Sequence, residues 1–412
     1  MTSKGDWPIR TIGEICDFES GNGFTPQDWD TEGLPIIRIQ NLNGSQSFNY
    51  FRGEPEPSWV VEPGELLFAW AGVKGVSFGP TLWNGPRGVL NQHIYRIRPR
   101  DGTDLQWLHY ALAEVTSEIE TKAHGFKTSL VHVRKSDITR AKVAHPPTPI
   151  QRQVANILSS WDDAIEKTEW LTDAKKQRNE ALSNQLLFGK LRLGQHQAHT
   201  TQALHWFSMP SDWHIVELGQ IAGEVSETNG DGDDLPVLSC TKYDGLVDSL
   251  KYFDKQVFSH DTSKYKVVRR GQFAYATNHI EEGSIGYQDL MPAGLVSPIY
   301  TVFQADPAQI DDGYLYKLLK TEKLRQLFAA NTNASVDRRG SLRWKEFARI
   351  HIPLPPLDEQ RQISAVLDEA KREITLLQAK TEALKTQKRG LMQKLLTGQW
   401  RLDPNITKET QA

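Results

Sequence analysis

Cysteine is nearly absent: only Cys16 and Cys240 occur among 412 residues. A disulfide scaffold is excluded, and a reducing compartment fits. Long hydrophobic runs are also missing. The longest wholly apolar stretch, about Leu66 to Val73, falls far short of the roughly 20 residues a spanning helix needs. The start, Met1-Thr2-Ser3-Lys4-Gly5-Asp6, has no apolar segment behind a basic one, so no signal peptide is expected. Charge of one sign is lacking too. Lys plus Arg total 48 against 51 Asp plus Glu, for a net −3, which excludes a polybasic chain. Catalytic signatures are equally scarce. There is no Gly-Lys-Ser/Thr of a phosphate loop, no Gly-x-Ser-x-Gly elbow and no Asn-Pro-Pro-aromatic motif. Glu19-x-Gly21-x-Gly23 looks like a methyl-donor turn, but it leads into Thr25-Pro26 and not into a helix. Glu120-x-Lys122 lacks a partner acid. Asn229-x-Asp231-x-Asp233 has Asp234 where a calcium loop requires Gly and Cys240 where it requires Glu. His196, His199 and His205 lie in a polar linker without Cys or acid partners. No resident metal or cofactor is expected. The chain reads as a cytoplasmic, non-membrane binding protein and not as an enzyme.

What is present is a repeat. Asp6-Trp7-x-Ile9-x-x-Ile12-Gly13-x-Ile15 returns as Asp212-Trp213-x-Ile215-x-x-Leu218-Gly219-x-Ile221. Leu34-Pro35-Ile36-Ile37 returns as Leu235-Pro236-Val237-Leu238, and Gly64-x-x-x-Phe68 as Gly271-x-x-x-Tyr275. Pro146-Pro147 before Gln151-Arg152-Gln153-Val154 returns as Pro355-Pro356 before Gln360-Arg361-Gln362-Ile363. The run 185–193 returns at 394–402. Five matches in one order, at offsets between 201 and 209, make a two-fold tandem.

Each copy opens with short apolar runs broken by Gly, Pro and Asn, which are strand and turn signals. Each also holds one amphipathic helix, near 105–123 and near 314–330. The fold class is therefore α/β in the mixed, α+β sense. Two tandem-repeat globular domains are separated by two long helices. From Gln151 to Phe188 there is neither Gly nor Pro. Thr148-Pro149-x-Gln151 has the form of a capping box with Pro at the first helical position, and Gly189 is a stop. In the second copy Asp358-Glu359 suits a helix N-terminus, and Gly398 is the stop. Steps of three and four give Leu367, Ala370, Ile374, Leu377, Thr381, Leu384, Lys388, Leu391 and Leu395, a coiled-coil seam with seven apolar positions of nine. The first copy gives Leu158, Trp161, Ile165, Thr168, Thr172, Lys175, Asn179, Leu182 and Leu186, with five. Two such helices around an intervening domain predict an antiparallel coiled coil. At about 1.5 Å per residue, a helix over 151–188 is roughly 57 Å long, against about 34 Å for a turn of duplex DNA. The expected segments are 1–145, 146–195 (helix), 196–210 (linker), 211–352, 353–402 (helix) and 403–412 (tail).

These residues resemble one family. Ser20-Gly21 before Thr25-Pro26, then Leu34-Pro35-Ile36-Ile37, Pro63-Gly64-Glu65-Leu66-Leu67-Phe68, Ile352-Pro353-Leu354-Pro355-Pro356-Leu357-Asp358-Glu359-Gln360-Arg361 and Leu395-Leu396-Thr397-Gly398 are similar to the specificity (S) subunit of a type I restriction-modification system. The likeness covers about residues 6–402. The first copy departs from it at Thr148, Pro149 and Ile150, where the second has Leu357, Asp358 and Glu359. The resemblance implies two target-recognition domains, each reading half of a bipartite sequence in double-stranded DNA. It implies two helical regions forming an antiparallel spacer. As partners it implies two methyltransferase (modification) subunits, bringing S-adenosylmethionine, and two restriction/translocase subunits, using ATP and Mg.

Residues 1–145 carry 15 basic and 17 acidic side chains, and residues 201–352 carry 16 and 20. Phosphate contacts therefore need local clusters. The best is Arg338, Arg339, Ser341 and Arg343, with Trp344 and Lys345. Its counterpart is Lys127, Thr128, Ser129 and Arg134, with Lys122, His124, His132 and Lys135. Base edges call for Arg, Lys, Asn or Gln at strand ends. Candidates are Arg38, Gln40, Asn41, Lys74, Asn91 and Gln92, then Thr241, Lys242, Tyr243, Asn278 and His279. Trp70 and Tyr275 match in position and read as core aromatics. The two sets differ almost everywhere, so an asymmetric target is expected. The rival reading is a coiled-coil adaptor that does not bind DNA.

Overall fold

A computed structural model describes residues 7–73, 76–122, 130–194, 201–203, 208–230, 234–332 and 341–402. The chain divides into two compact units, residues 1–170 with 378–412, and residues 171–377. These packing boundaries fall inside the long helices and not at their ends. Among the described residues, five helices of eight residues or more frame the units: α1 (Leu105–Lys122), α2 (Thr148–Leu186), α3 (Asp312–Leu319), α4 (Glu322–Asn331) and α5 (Leu357–Leu396). No described helix is long and apolar enough to cross a membrane.

The first unit is built on a four-stranded antiparallel sheet in the order Cys16–Ser20, Ile94–Pro99, Leu66–Ala69, Gly79–Leu82. Leu66, Leu67, Phe68 and Ala69 are all buried, because this inner strand is covered on both faces. A second sheet holds Tyr50–Phe51, Leu34–Ile37, Gly88–Leu90 and Val60–Val61, with Leu34–Ile37 parallel to Gly88–Leu90. Trp107, Leu108, Ala111, Leu112 and Val115 of α1 close one core with Ile150, Val154 and Leu158 of α2 and Leu395 and Leu396 of α5.

The second unit repeats the plan. Its sheet runs Ala222–Val225, Tyr300–Ala305, Phe273–Ala276, Ile285–Tyr287. The rings of Phe273 and Phe303 stack at 4.9 Å. Val237 bridges Leu295 in parallel, as Ile36 pairs with Val89 in the first unit. Tyr314, Leu315, Leu318 and Leu319 of α3 bury against Leu186, Leu187 and Phe188 and against Ile363 and Leu367. Each unit is thus completed by the head of its own repeat's long helix and the tail of the other's.

The seam positions behave as their spacing predicts. All eighteen are buried or half-buried, and Thr168, Thr172 and Thr381 are at most 8% exposed. In the first unit Lys385 meets Glu169 at 2.8 Å and Lys388 meets Asp162, so positions rise along α2 as they fall along α5. The helices are antiparallel there. In the second unit Lys175 meets Glu373 at 2.7 Å.

Two local expectations are corrected. The helix expected near 314–330 is two helices. The Thr321 hydroxyl accepts Leu324 N–H and donates to Leu318 C=O, so it caps a new helix instead of continuing the old one. The capping box at Thr148 also does not form. Thr148 donates to Gly102 C=O, and Gln151 is fully buried, accepting Asp104 N–H at 2.7 Å and donating to Pro146 C=O at 2.7 Å.

Both long helices end alike. Leu191 N–H reaches back to Gln185 C=O, and Trp400 N–H to Lys394 C=O, around Gly189 (φ 64°) and Gly398 (φ 72°). A Cβ on Gly189 would lie 2.3 Å from the Pro210 ring, whereas one on Gly398 would lie 3.0 Å from the Trp7 ring. Gly398→Ala is expected to cost about 1–2 kcal/mol from its left-handed backbone alone. Gly189→Ala must also displace a rigid proline and should cost clearly more. Paired urea unfolding curves decide it, and equal midpoints for the two variants would contradict the packing described.

Candidate nucleic-acid interface

The interface has to be assembled from strand ends, since neither domain is basic as a whole. In the first unit, Asn91 N–H donates to Ile37 C=O at 3.0 Å, which brings segments 37–41 and 91–92 together. Gln92 is exposed, and its carbonyl accepts Trp70 Nε1–H at 3.1 Å. Val133 N–H donates to Trp70 C=O, so exposed Arg134 joins the same edge. Trp70 is only half-buried. It lies 5.2 Å from the His93 ring and 6.0 Å from His132, and it stacks on Tyr95. The expectation of a core aromatic therefore holds for fully buried Tyr275 but not for Trp70.

The first-unit candidates differ in how free they are. Gln40 is exposed, with a weak bond to Ser47 C=O. Arg38 is half-buried. Its guanidinium sits 5.2 Å from the Trp29 ring and donates to Asn49 Oδ1. Asn41 is 5% exposed and spends its amide on Ser45 and Ser47 carbonyls while its oxygen accepts Arg38 N–H, so it shapes the turn that presents Gln40. Asn91 is half-buried beside Asn22. Lys74, Lys127, Thr128 and Ser129 lie outside the described residues. The turn 21–25 is structural: Glu19 pairs with Arg96 and Arg98, and Thr25 and Asp28 cap the short helix Pro26–Asp28.

In the second unit the hairpin Leu238–Thr241/Gly245–Asp248 presents Lys242 and Tyr243 at its tip. Thr241 accepts Asp244 N–H at 2.9 Å and so closes the turn. Tyr243 is 80% exposed, with the Lys242 ammonium 5.2 Å from its ring. The Ser284 hydroxyl donates to Cys240 C=O at 3.1 Å, tying this hairpin to segment 277–285. That segment carries half-buried Asn278 and exposed His279. Leu342 N–H donates to Thr277 C=O at 2.8 Å, which adds half-buried Ser341 and exposed Arg343. Arg338 and Arg339 lie outside the described residues. Hairpin tip, 277–285 loop and 341–343 segment thus meet at one edge.

Sequence reasoning missed Lys320 and Arg325. Lys320 donates to Lys242 C=O at 2.7 Å and Gly283 C=O at 2.9 Å, and Arg325 donates to Glu281 C=O at 3.3 Å. No local spacing marks them, because their partners are distant in sequence. The ligand-capable atoms of His279, Glu281 and Glu282 lie within 4.8 Å of one another, but His279 and Glu282 already pair at 3.3 Å. Burial pushes the Cys16 thiol up to about 12 and the Cys240 thiol to about 11, so both stay protonated near neutrality.

The geometry suits polar and aromatic contact to a grooved surface at two separate edges. Comparison with known proteins identifies the family of both repeats. Residues 4–172 and 210–386 each match the model of the type I restriction modification DNA specificity domain. The type I restriction enzyme MjaVIII specificity subunit of Methanocaldococcus jannaschii is 23% identical, over 96% of this chain and 93% of its own. The EcoBI specificity subunit of Escherichia coli is 21% identical, over 88% and 79%. The crystal structure of a type I restriction-modification S subunit from M. genitalium superposes with a TM-score of 0.54 at 16% identity, covering 96% of this chain and 98% of that one.

Proposed function

From the membership of this chain in the type I restriction-modification DNA specificity family, matched in both repeats, we propose that it reads a bipartite, asymmetric sequence in double-stranded DNA. Each unit supplies one reading edge. One observation carries this: in each unit, candidate residues far apart in sequence converge on a single edge. Gln40, Gln92 and Arg134 do so in the first, and Lys242, Tyr243, His279 and Arg343 in the second. Exposed amides and guanidinium groups read base edges, while lysine and arginine hold phosphates. The two sets share almost no residue type, so the half-sites should differ. The uninterrupted helices of 39 and 40 residues would set the spacing between half-sites.

In this reading the chain is non-catalytic and acts in the cytoplasm. Two methyltransferase subunits dock on it and bring S-adenosylmethionine, and two restriction/translocase subunits bring ATP and Mg. Adenine-methylation mapping tests the proposal, using cells that carry the chain and its neighbouring methyltransferase gene against cells lacking only this chain. The expected result is a bipartite asymmetric motif that disappears with the chain. A palindromic motif would refute the asymmetry. Unchanged methylation with the chain expressed and soluble would put a non-DNA-binding coiled-coil adaptor first.

A further inference from the structure

We infer that Lys320 is a positioning residue that sets base choice at the second unit's half-site, by clamping the hairpin tip and the 277–285 loop into one fixed geometry. The inference rests on the DNA-reading function proposed above. Lys320 follows α3, at the point where Thr321 breaks the helical run. Its ammonium does not run out to an acidic partner. It donates to three main-chain carbonyls, Lys242 at 2.7 Å, Gly283 at 2.9 Å and Ile285 at 3.4 Å. An ammonium has three protons to give. Here all three go to two loops that otherwise share the Ser284–Cys240 tie at 3.1 Å. The charge makes each of these bonds stronger than a neutral one.

The surroundings leave the tip little other freedom. Gly245 has φ 71°, and a Cβ there would lie 2.4 Å from the Tyr316 hydroxyl, so the hairpin is seated directly on α3. Arg325 of α4 holds the same loop through Glu281 C=O. Lys242, Tyr243 and His279 project from these clamped segments, and all three are exposed. Base discrimination requires groups held in place before contact, since a loop that can shift will accommodate the wrong base. Lys320 touches no base-reading atom itself; it acts through the main chain of residues that do.

Among the described residues the clamp belongs to one unit only. Asp104 and Asp311 occupy equivalent positions, each offering its N–H to the buried glutamine of its repeat. Counting from them puts Ala113 where Lys320 stands. The first unit holds its loop instead through Asn41 and its carbonyl partners. Loss of Lys320 must therefore relax one half-site and spare the other, which a general loss of stability would not do.

The test uses the chain in complex with its methyltransferase subunits and a duplex library randomised in both half-sites. Wild type, Lys320→Met, Lys320→Arg and Ser284→Ala are each put through selection and sequencing. Lys320→Met should lose at least tenfold in discrimination at one half-site, with the other half-site unchanged. Lys320→Arg, which keeps donors and charge, should recover most of it. Full discrimination in Lys320→Met, or equal loss at both half-sites, overturns the inference. If Lys320→Met does not fold, Ser284→Ala loosens the same junction and decides by the same criterion. A wild-type complex that selects no bipartite motif would instead count against the DNA-reading function itself.

Discussion

Glu359→Ala is expected to destabilise the second unit by about 3–5 kcal/mol, the usual cost of leaving half of a buried ion pair behind. Glu359 is fully buried, and the Arg192 side chain is 5% exposed. Two guanidinium nitrogens of Arg192 reach the carboxylate at 2.5 and 2.7 Å, and Trp213 Nε1–H donates to it at 3.1 Å. Arg192 also meets Asp212 at 2.9 and 3.1 Å and lies 5.5 Å from the Trp213 ring. Burial opposes its charge, but the hydrogen bonds it donates to Glu359 and Asp212 outweigh burial and hold it above its ordinary value. Alanine at 359 leaves that charge inside with only half-exposed Asp212 and strands an indole N–H. The double variant Arg192→Met/Glu359→Leu should lose less than the single one, because no unpaired charge remains. Urea unfolding followed by tryptophan fluorescence measures both. A single variant within about 1 kcal/mol of wild type would show that the pair is replaceable. The first repeat has apolar Ile150 in place of Glu359, so the effect should be confined to one unit.

The second large effect should appear in both units, at Gln151 and Gln360. Each is fully buried. Gln151 accepts Asp104 N–H and donates to Gly102 and Pro146 carbonyls, at 2.7, 3.0 and 2.7 Å. Gln360 accepts Asp311 N–H and donates to Pro355 and Gln309 carbonyls, at 2.8, 2.9 and 3.2 Å. One amide thus fastens the start of a long helix to the cap of the domain helix beside it. Leucine has the volume but no polar atoms. It orphans the Asp104 or Asp311 N–H and the carbonyl of buried Pro146 or Pro355, at about 1–3 kcal/mol for each unsatisfied group. We expect a loss of roughly 3 kcal/mol for each substitution. Because the chain has two units, a single two-state fit is unsafe, and hydrogen exchange resolved along the sequence is the better readout. Gln151→Leu should deprotect α1 and the head of α2. Gln360→Leu should deprotect α3 and the head of α5. Uniform deprotection in both variants, or none, would contradict this division.

These cases mark where sequence reading stops. Gln151 had the spacing of a capping box, but its amide turned inward to partners 47 and 49 residues away. Glu359 had the composition of a helix N-terminus, yet it pairs with Arg192 at a separation of 167 residues. Lys320 looked like one more surface lysine, and its first carbonyl partner is 78 residues back. The break at Thr321 was legible in principle, since a hydroxyl ahead of Glu322 is a cap signal, but the apolar periodicity on both sides hid it.

By itself the sequence determined the tandem repeat, the two long helices, the heptad seam and the glycine stops. All of these are written in spacings of three to seven residues or in repetition at one offset, and backbone geometry converts such spacings directly into structure. Only the tertiary structure decided how the chain is shared out. Each unit takes the head of one long helix and the tail of the other. It also decided which candidate side chains stay free at an edge, as Gln92 and Tyr243 do, and which are consumed in holding a loop, as Asn41 is. The reason is that a side chain's hydrogen-bond capacity is allotted among neighbours brought together by packing, and the distances along the chain that separate those neighbours leave no periodic trace.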